Sequence, residues 1–339
     1  MNVAIALEKL KARESLSSLE TQAVFDQIFH GEVPREQIAA LLLGLREKGE
    51  TTDEILGAVR SMRGNMVPYP EMPGAIDIVG TGGDNHGTLN VSTATALVVA
   101  ACGVPVAKHG NRAATSRSGS SDVLASIGVN LEPEESVLER CLKEIGIVFL
   151  FAPRHHPAMK HVAEVRRELG VRTIFNLLGP LTNPANVKRH LIGTYDDEWL
   201  EPMAEVLKTL GSERAWIVHG HDGLDEVSTT GPTEIVELRL GESRRFIVTP
   251  EEFDLPCMRL DDLRGGDGVE NAMALRDLLA GERNAYRDIV LMNAAAALIV
   301  AGRTDNALDG VKMAAEAIDS GRARQKLEAL VRLTHSGKP

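Results

Sequence analysis

The chain runs to 339 residues, enough for one large domain with a smaller satellite and a substantial buried core. Its formal net charge of −11 disfavours the broad basic surface that phosphate-backbone binding requires, so we expect no nucleic-acid partner, while an anionic ligand fits wherever positive charge is local to a cleft. Cys102, Cys141 and Cys257 are odd in number and far apart, which fits a reducing cytoplasm; no run of about 18 apolar residues suggests a membrane span, and Met1 to Lys11 lacks the charge-then-apolar order of a signal peptide.

Up to about Met66 the sequence carries a helical period with clear punctuation. Ser17-x-x-Glu20 and Thr51-x-x-Glu54 have the form of capping boxes, Pro34 sits where a first helical turn tolerates it, and Gly49 is placed to close a third helix. Ile38, Leu41, Leu42 and Leu45 share one face, a stripe too large for so small a bundle, and we expect these helices to pack onto the rest of the chain or to form a symmetric homodimer. A proline-rich connector, Pro68-Tyr69-Pro70 to Pro73, marks a boundary.

From Ala75 onward, short β-branched runs alternate with helical patterns. Strands are expected at Ile76 to Val79, Val104 to Ala107, Ile147 to Phe151, Leu191 to Gly193, Ala215 to Val218 and Ile235 to Leu238. That alternation predicts an α/β fold with a mostly parallel central sheet whose strand C-termini carry the site. Pro157 to Pro184 interrupts it with helix-like sequence that can rejoin the N-terminal helices. The expected organisation is a small all-helical domain, residues 1–70 joined by 157–185, and a larger α/β catalytic domain, residues 71–156 and 186–339.

Two glycine- and serine-rich loops stand out in the first part of the sheet. Gly80-Thr81-Gly82-Gly83-Asp84 follows one strand and leads to Ser92-Thr93, which reads as a capped helix start; Lys108-His109-Gly110-Asn111-Arg112 follows another and leads through Ser118-Gly119-Ser120 to a second helix. Helix N-termini and backbone N–H groups converging there make two anion-binding sites. The first loop is not a Rossmann fingerprint, since Asn85 stands where a third glycine is needed, nor a Walker loop, since no lysine lies between Gly87 and Thr88. Downstream, Asp225-Glu226 closes a glycine-rich polar loop and is either a solvated acidic turn or, beside phosphates, a Mg²⁺ site. His155-His156 and His161 match no zinc spacing. Arg166 and Arg167 lie between Glu164 and Glu168 on a helix, either as surface ion pairs or with one arginine turned inward as a fork for a carboxylate.

In order along the chain, the first loop, Thr88-Leu89-Asn90-Val91-Ser92-Thr93, the second loop through Ser121-Asp122, Val165-Arg166-Arg167, Arg172-Thr173-Ile174-Phe175-Asn176-Leu177-Leu178-Gly179-Pro180-Leu181 and Asp225-Glu226-Val227-Ser228 resemble the motifs of the anthranilate phosphoribosyltransferase family. The resemblance implies transfer of a phosphoribosyl group from phosphoribosyl pyrophosphate to the amine of anthranilate, with Mg²⁺ required, two ions per monomer, in a cytoplasmic homodimer joined through the N-terminal helices. It implies that phosphoribosyl pyrophosphate is held by Gly80, Gly83, Asp84, Thr88, Asn90, Val91, Ser92, Thr93, Lys108, His109, Gly110, Asn111, Arg112, Ala113, Ala114, Thr115, Ser116 and Ser120. It likewise assigns anthranilate to Gly80, Asn111 and Arg166, and the metal to Ser92, Asp225 and Glu226. Glu164 departs from the family by standing where proline is usual, next to Val165-Arg166, and Leu89 and Val91 replace the commoner phenylalanine and isoleucine. Two rivals fit less well. A pyrimidine nucleoside phosphorylase would have Lys-His-Ser-Thr-Gly-Gly in place of Ile78 to Gly83, and the catalytically silent nucleic-acid-binding relative of the family would need a basic groove.

Overall fold

The computed structural model describes residues 1–112 and 117–336. Four helices come first, α1 (Val3–Lys11), α2 (Ser18–Phe29), α3 (Arg35–Lys48) and α4 (Thr52–Gly64). Both capping boxes form: Ser17 Oγ accepts the Glu20 N–H at 3.3 Å while the Glu20 carboxylate accepts the Ser17 N–H at 2.9 Å, and Thr51 and Glu54 repeat the exchange at 3.3 and 2.8 Å. Gly49 closes α3 at a positive φ of 88°, and Pro34 is the residue before that helix rather than part of its first turn. Ile38, Leu41, Leu42 and Leu45 are all buried within the single chain, so the stripe needs no second subunit to cover it.

The α/β part follows as β1 (Ile76–Gly80), α5 (Val91–Ala101), β2 (Val106–Gly110), α6 (Ser120–Ile127), α7 (Glu135–Arg140), β3 (Ile147–Phe151), α8 (Ala152–His155), α9 (Lys160–Leu169), α10 (Phe175–Leu181), β4 (Arg189–Gly193), α11 (Leu200–Thr209), β5 (Arg214–Gly220), β6 (Thr233–Arg239) and β7 (Glu242–Val248). Four helices close it, α12 (Gly268–Leu279), α13 (Ala285–Val300), α14 (Ala307–Asp319) and α15 (Arg322–Thr334). The seven-stranded sheet has the order β3-β2-β1-β4-β5-β6-β7; the first five strands in that order are parallel, and β6 and β7 are antiparallel additions. Strand β7 escapes sequence reading because it is a polar edge: cross-strand pairs of Arg244 with Glu237 at 2.7 Å and Arg245 with Glu234 at 2.8 Å hold it, and Phe246 packs on Trp216 at 5.6 Å. Strand β2 starts two residues later than expected, which places Lys108 and His109 on the strand itself.

The sheet separates two cores. One face packs against α5, α6 and the C-terminal helices. The other carries Ile192, Ala215, Ile217, Val236 and Leu238, which share a single hydrophobic cluster with α11, the four N-terminal helices, α9 and α10. The helices of the interrupting segment thus sit beside the N-terminal ones, with Phe175 5.7 Å from Phe25 and 6.2 Å from Phe29. Strand order reverses at β1, so the carboxyl end of β1 and its neighbours is where an open parallel sheet accepts a ligand.

Candidate active site

The carboxyl ends of β1 and β2 open into a cleft of about 590 Å³ whose facing wall is built by α9 and α10. It gathers Gly80, Gly83, Asp84, Thr88, Asn90, Val91, Ser92, Thr93, Lys108, His109, Gly110, Asn111, Arg112, Ser120, Arg166, Asp225 and Glu226. Ala113, Ala114, Thr115 and Ser116 lie outside the described residues.

Asp225 and Glu226 are carried to the cleft by a loop that organises itself around Asp222, whose carboxylate accepts the Leu224 N–H at 3.0 Å and the hydroxyls of Ser228 and Thr230. Behind them, the fully buried Asn293 accepts the Val227 N–H at 2.9 Å and donates to the Val227 carbonyl at 2.8 Å. Asp225 Oδ2 accepts the Gly82 N–H at 2.8 Å, and Glu226 Oε1 accepts the Ser92 N–H at 3.0 Å together with the Ser92 hydroxyl. The pair is therefore no solvated turn. It lies so close to the sheet that a Cβ on Gly80 or Gly193 would overlap Asp225, which is why both strand ends carry glycine. Two expectations change here: α5 begins at Val91 with Asn90 before it and no side-chain cap, because the Ser92 hydroxyl serves Glu226, and the Gly82 N–H serves Asp225.

Burial pushes the Asp225 carboxyl up to about 7, with Asp84 nearby adding to it, and burial together with the Asp225 charge pushes Glu226 up to about 8. Asp84 is raised in the same way, by burial first. Crowded carboxylates and a hydroxyl form an all-oxygen donor set short of positive charge, which suits a hard divalent cation. Among the described residues no three acidic, histidine or cysteine side chains converge as a complete metal site. A cation here would complete its shell from water and bound phosphates, the habit of Mg²⁺.

Lys108 is almost wholly buried, and its Nζ donates to the Ile78 carbonyl at 2.6 Å rather than standing free in a loop. Strands β1 and β2 are in register at Ile76 and Val106; beyond that pair, side chains bridge them. Asp77 Oδ1 accepts the His109 N–H at 3.1 Å, and Asn183 Nδ2 donates to Asp77 Oδ2 at 2.7 Å and to the Ala107 carbonyl at 2.8 Å. Burial raises the Asp77 carboxyl to about 6 against the pull of Lys108. This polar wedge lets the two loops diverge from adjacent strands.

On the facing wall, Arg166 is half-buried with its guanidinium carbon 5.3 Å from the Phe175 ring centre, and burial lowers its pKa. No acidic side chain pairs with it among the described residues. Glu164 points elsewhere, to Arg35 at 3.2 Å and Arg167 at 3.5 Å, so the departure from proline leaves Arg166 untouched and Arg167 is the surface partner. His155 and His156 are buried, His155 Nδ1 lies 3.0 Å from the Val67 carbonyl, and His156, at the cleft lining, has its ring centre 5.0 Å from that of His109 with the rings tilted by 54°. His161 lies against the backbone of Gly31.

Sequence reasoning assigned no role to Arg172, whose guanidinium donates to the Gly83 carbonyl and lies 4.1 Å over the Tyr195 ring, tying the first loop to the α9–α10 segment. Phe175 and Asn176 entered only within a motif, and Lys160 and Asn183 were not singled out. An isolated arginine or asparagine between helices carries no local mark of a partner so distant in the chain.

Two family models match: the helical bundle domain of a glycosyl transferase family over residues 5–66 and the a/b domain of that family over residues 72–324. The anthranilate phosphoribosyltransferase of Beijerinckia indica is 54% identical over 329 residues, covering 97% of this chain and 96% of that protein. Among solved structures, the anthranilate phosphoribosyltransferase of Thermus thermophilus superposes with a TM-score of 0.92 at 44% identity, covering 98% of this chain and 99% of that one. That of Saccharomyces cerevisiae, in complex with PRPP and Mg, superposes with a TM-score of 0.91 at 29% identity, covering 98% of each chain.

Proposed function

The chain belongs to the anthranilate phosphoribosyltransferase family, and on that premise we propose how its residues carry out transfer of the phosphoribosyl group from phosphoribosyl pyrophosphate to the amine of anthranilate, a step of tryptophan biosynthesis that releases pyrophosphate. The observation that carries the assignment is the division of one cleft into two polar ends. The sheet side offers backbone N–H groups, hydroxyls, Lys108 and a carboxylate pair, while the α9 wall offers Arg166, a cation without a protein counter-ion among the described residues.

In this reading phosphoribosyl pyrophosphate lies along the first loop and its helix (Gly80, Gly83, Asp84, Thr88, Asn90, Val91, Ser92, Thr93) and the second (Lys108, His109, Gly110, Asn111, Arg112, Ser120, with Ala113 to Ser116). Asp225, Glu226 and Ser92 would hold Mg²⁺, two ions per monomer, which when bound draws charge onto the departing pyrophosphate. Anthranilate enters from the facing wall, its carboxylate forked by Arg166 and its amine directed past Asn111 and Gly80 toward the anomeric carbon. As the carbon–oxygen bond to pyrophosphate breaks and the carbon–nitrogen bond forms, positive charge develops on the ribose, and the anion-rich sheet side favours it. The arylammonium produced is acidic enough to lose its proton to water, so an arginine fork without a dedicated base suffices.

Packing of Phe25 and Phe29 on Phe175 supports a helical unit of residues 1–70 with 157–185 beside an α/β unit of 71–156 and 186–339. Ile5 and Leu19, 52% and 72% exposed on α1 and α2, support a homodimer through the N-terminal helices, which light scattering at micromolar concentration tests. Three free cysteines support a cytoplasmic location; among the described residues no helix is long and apolar enough to cross a membrane. The activity itself is tested by anthranilate fluorescence: with phosphoribosyl pyrophosphate and Mg²⁺ it should fall as the amine is consumed, and a steady signal over hours at micromolar enzyme overturns the assignment.

A further inference from the structure

The last residue lining the cleft is Glu226, yet two side chains from the C-terminal helices reach its edge. Asn271, only 2% exposed on α12, accepts the Gly266 N–H through Oδ1 at 2.7 Å and donates through Nδ2 to Asn90 Oδ1 at 2.8 Å. Asn90 in turn donates from Nδ2 to the Ser118 carbonyl at 3.2 Å, and Tyr286 Oη donates to the Asn90 carbonyl at 3.1 Å.

An asparagine amide has a donor end and an acceptor end, and either orientation fills the same space. This chain of amides has only one consistent direction. It starts at a backbone N–H, Gly266, and finishes at a backbone carbonyl, Ser118, neither of which can exchange roles. Asn271 must therefore turn its NH₂ toward Asn90, and Asn90 must turn its NH₂ toward the second loop, with the other N–H of that group left for the cleft. Close packing keeps the relay in place: the Gly265 N–H donates to the Gly87 carbonyl at 2.8 Å and the Leu89 N–H to the Leu263 carbonyl at 2.9 Å. A Cβ at Gly265 would meet Asn271 Oδ1 and the Thr88 carbonyl at 2.8 Å.

We propose that Asn271 is a positioning residue for phosphoribosyl transfer, locking Asn90 as a hydrogen-bond donor to the phosphoribosyl group and fastening the two anion loops to each other. The inference rests on the assignment of Asn90 to the phosphoribosyl pyrophosphate cradle. Asn271→Asp keeps the acceptor for Gly266 and removes the donor to Asn90. It should raise the KM for phosphoribosyl pyrophosphate about three- to tenfold, the scale of one hydrogen bond, with the KM for anthranilate changed less than about twofold. Asn271→Ala gives a second variant should the aspartate fold poorly, and thermal unfolding of each shows whether the fold is intact.

The deciding measurement is the double substitution. In an Asn90→Ala background, replacing Asn271 should have no further effect on the KM for phosphoribosyl pyrophosphate, because its route of action is gone. Additive effects there, or an unchanged KM in both Asn271 variants while Asn90→Ala alone raises it, overturn the positioning role and leave the cradle assignment standing. An Asn90→Ala enzyme with unaltered phosphoribosyl pyrophosphate kinetics removes Asn90 from the cradle, and the relay falls with it.

Discussion

Replacing Arg166 by alanine separates the two ends of the cleft. In the protein alone the guanidinium is half-buried, seated over Phe175 at 5.3 Å, and without an acidic partner among the described residues. Loss of the cation–π contact costs about 0.5–2 kcal/mol, and relief of an uncompensated, partly desolvated charge offsets it, so the unfolding free energy should stay within about 1 kcal/mol of the parent. With anthranilate bound the balance differs: a forked, charge-assisted contact contributes about 1.5–3 kcal/mol, which is about ten- to 150-fold in kcat/KM for anthranilate. Arg166→Lys should recover little of this, since an ammonium supplies the charge without the planar fork. The assay is steady-state fluorescence with anthranilate varied at saturating phosphoribosyl pyrophosphate, then the reverse, with urea unfolding alongside. If anthranilate parameters are intact and the affinity for phosphoribosyl pyrophosphate is lost, Arg166 belongs to the other substrate and the two-ended reading of the cleft is wrong.

Asp225→Asn combined with Glu226→Gln should lower turnover about a hundredfold or more and abolish its dependence on Mg²⁺, while the fold stays at least as stable because two crowded carboxylates are neutralised; unchanged rates at limiting Mg²⁺ refute the metal assignment. Gly193→Ala should destabilise by about 3 kcal/mol or more and disable the site, since the new methyl overlaps the Asp225 backbone, whereas Gly231→Ala, with nothing within 4 Å, should be tolerated; equal unfolding midpoints would refute the close approach. His190, fully buried, has its pKa lowered by burial to about 3 from the ordinary 6.5. Below pH 6.5 the unfolded chain takes up a proton that the folded one refuses, so stability falls with falling pH by about 1.4 kcal/mol per unit for this group. His190→Gln should flatten the slope between pH 6.5 and 5 by that amount, and an identical slope in the variant would show that His190 protonates in the folded state.

What was legible in the sequence was whatever is encoded within a few residues. Capping boxes at Ser17 and Thr51, the glycine after α3, and the two glycine-rich loops announce themselves locally, and the loops led directly to the cleft. Other features depend on partners far along the chain. Lys108 reads as a loop residue, but β2 extends through it and one ammonium N–H is fixed on the Ile78 carbonyl. Ser92 reads as a helix cap until Glu226, 134 residues away, claims its hydroxyl. The stripe of Ile38, Leu41, Leu42 and Leu45 looks orphaned because the helix that helps to cover it, α9, is inserted more than a hundred residues later. Strand β7 fails the alternation test since only Phe246 and Val248 pack on the core, while its arginines are exposed and pair with glutamates of β6.

The shared core beneath the sheet has a consequence for how the chain divides. The two family models meet between residues 66 and 72, but the hydrophobic cluster runs from Val3 through Phe175 to Leu238 without a break at that seam. Asn183, which follows the inserted helices, also supplies the hydrogen bonds that bridge Asp77 and Ala107 in the sheet. Evolutionary module and thermodynamic unit are therefore different objects here. A chain nicked in the connector would remain one body, its halves held by a common interior, and melting it would release both pieces in a single transition.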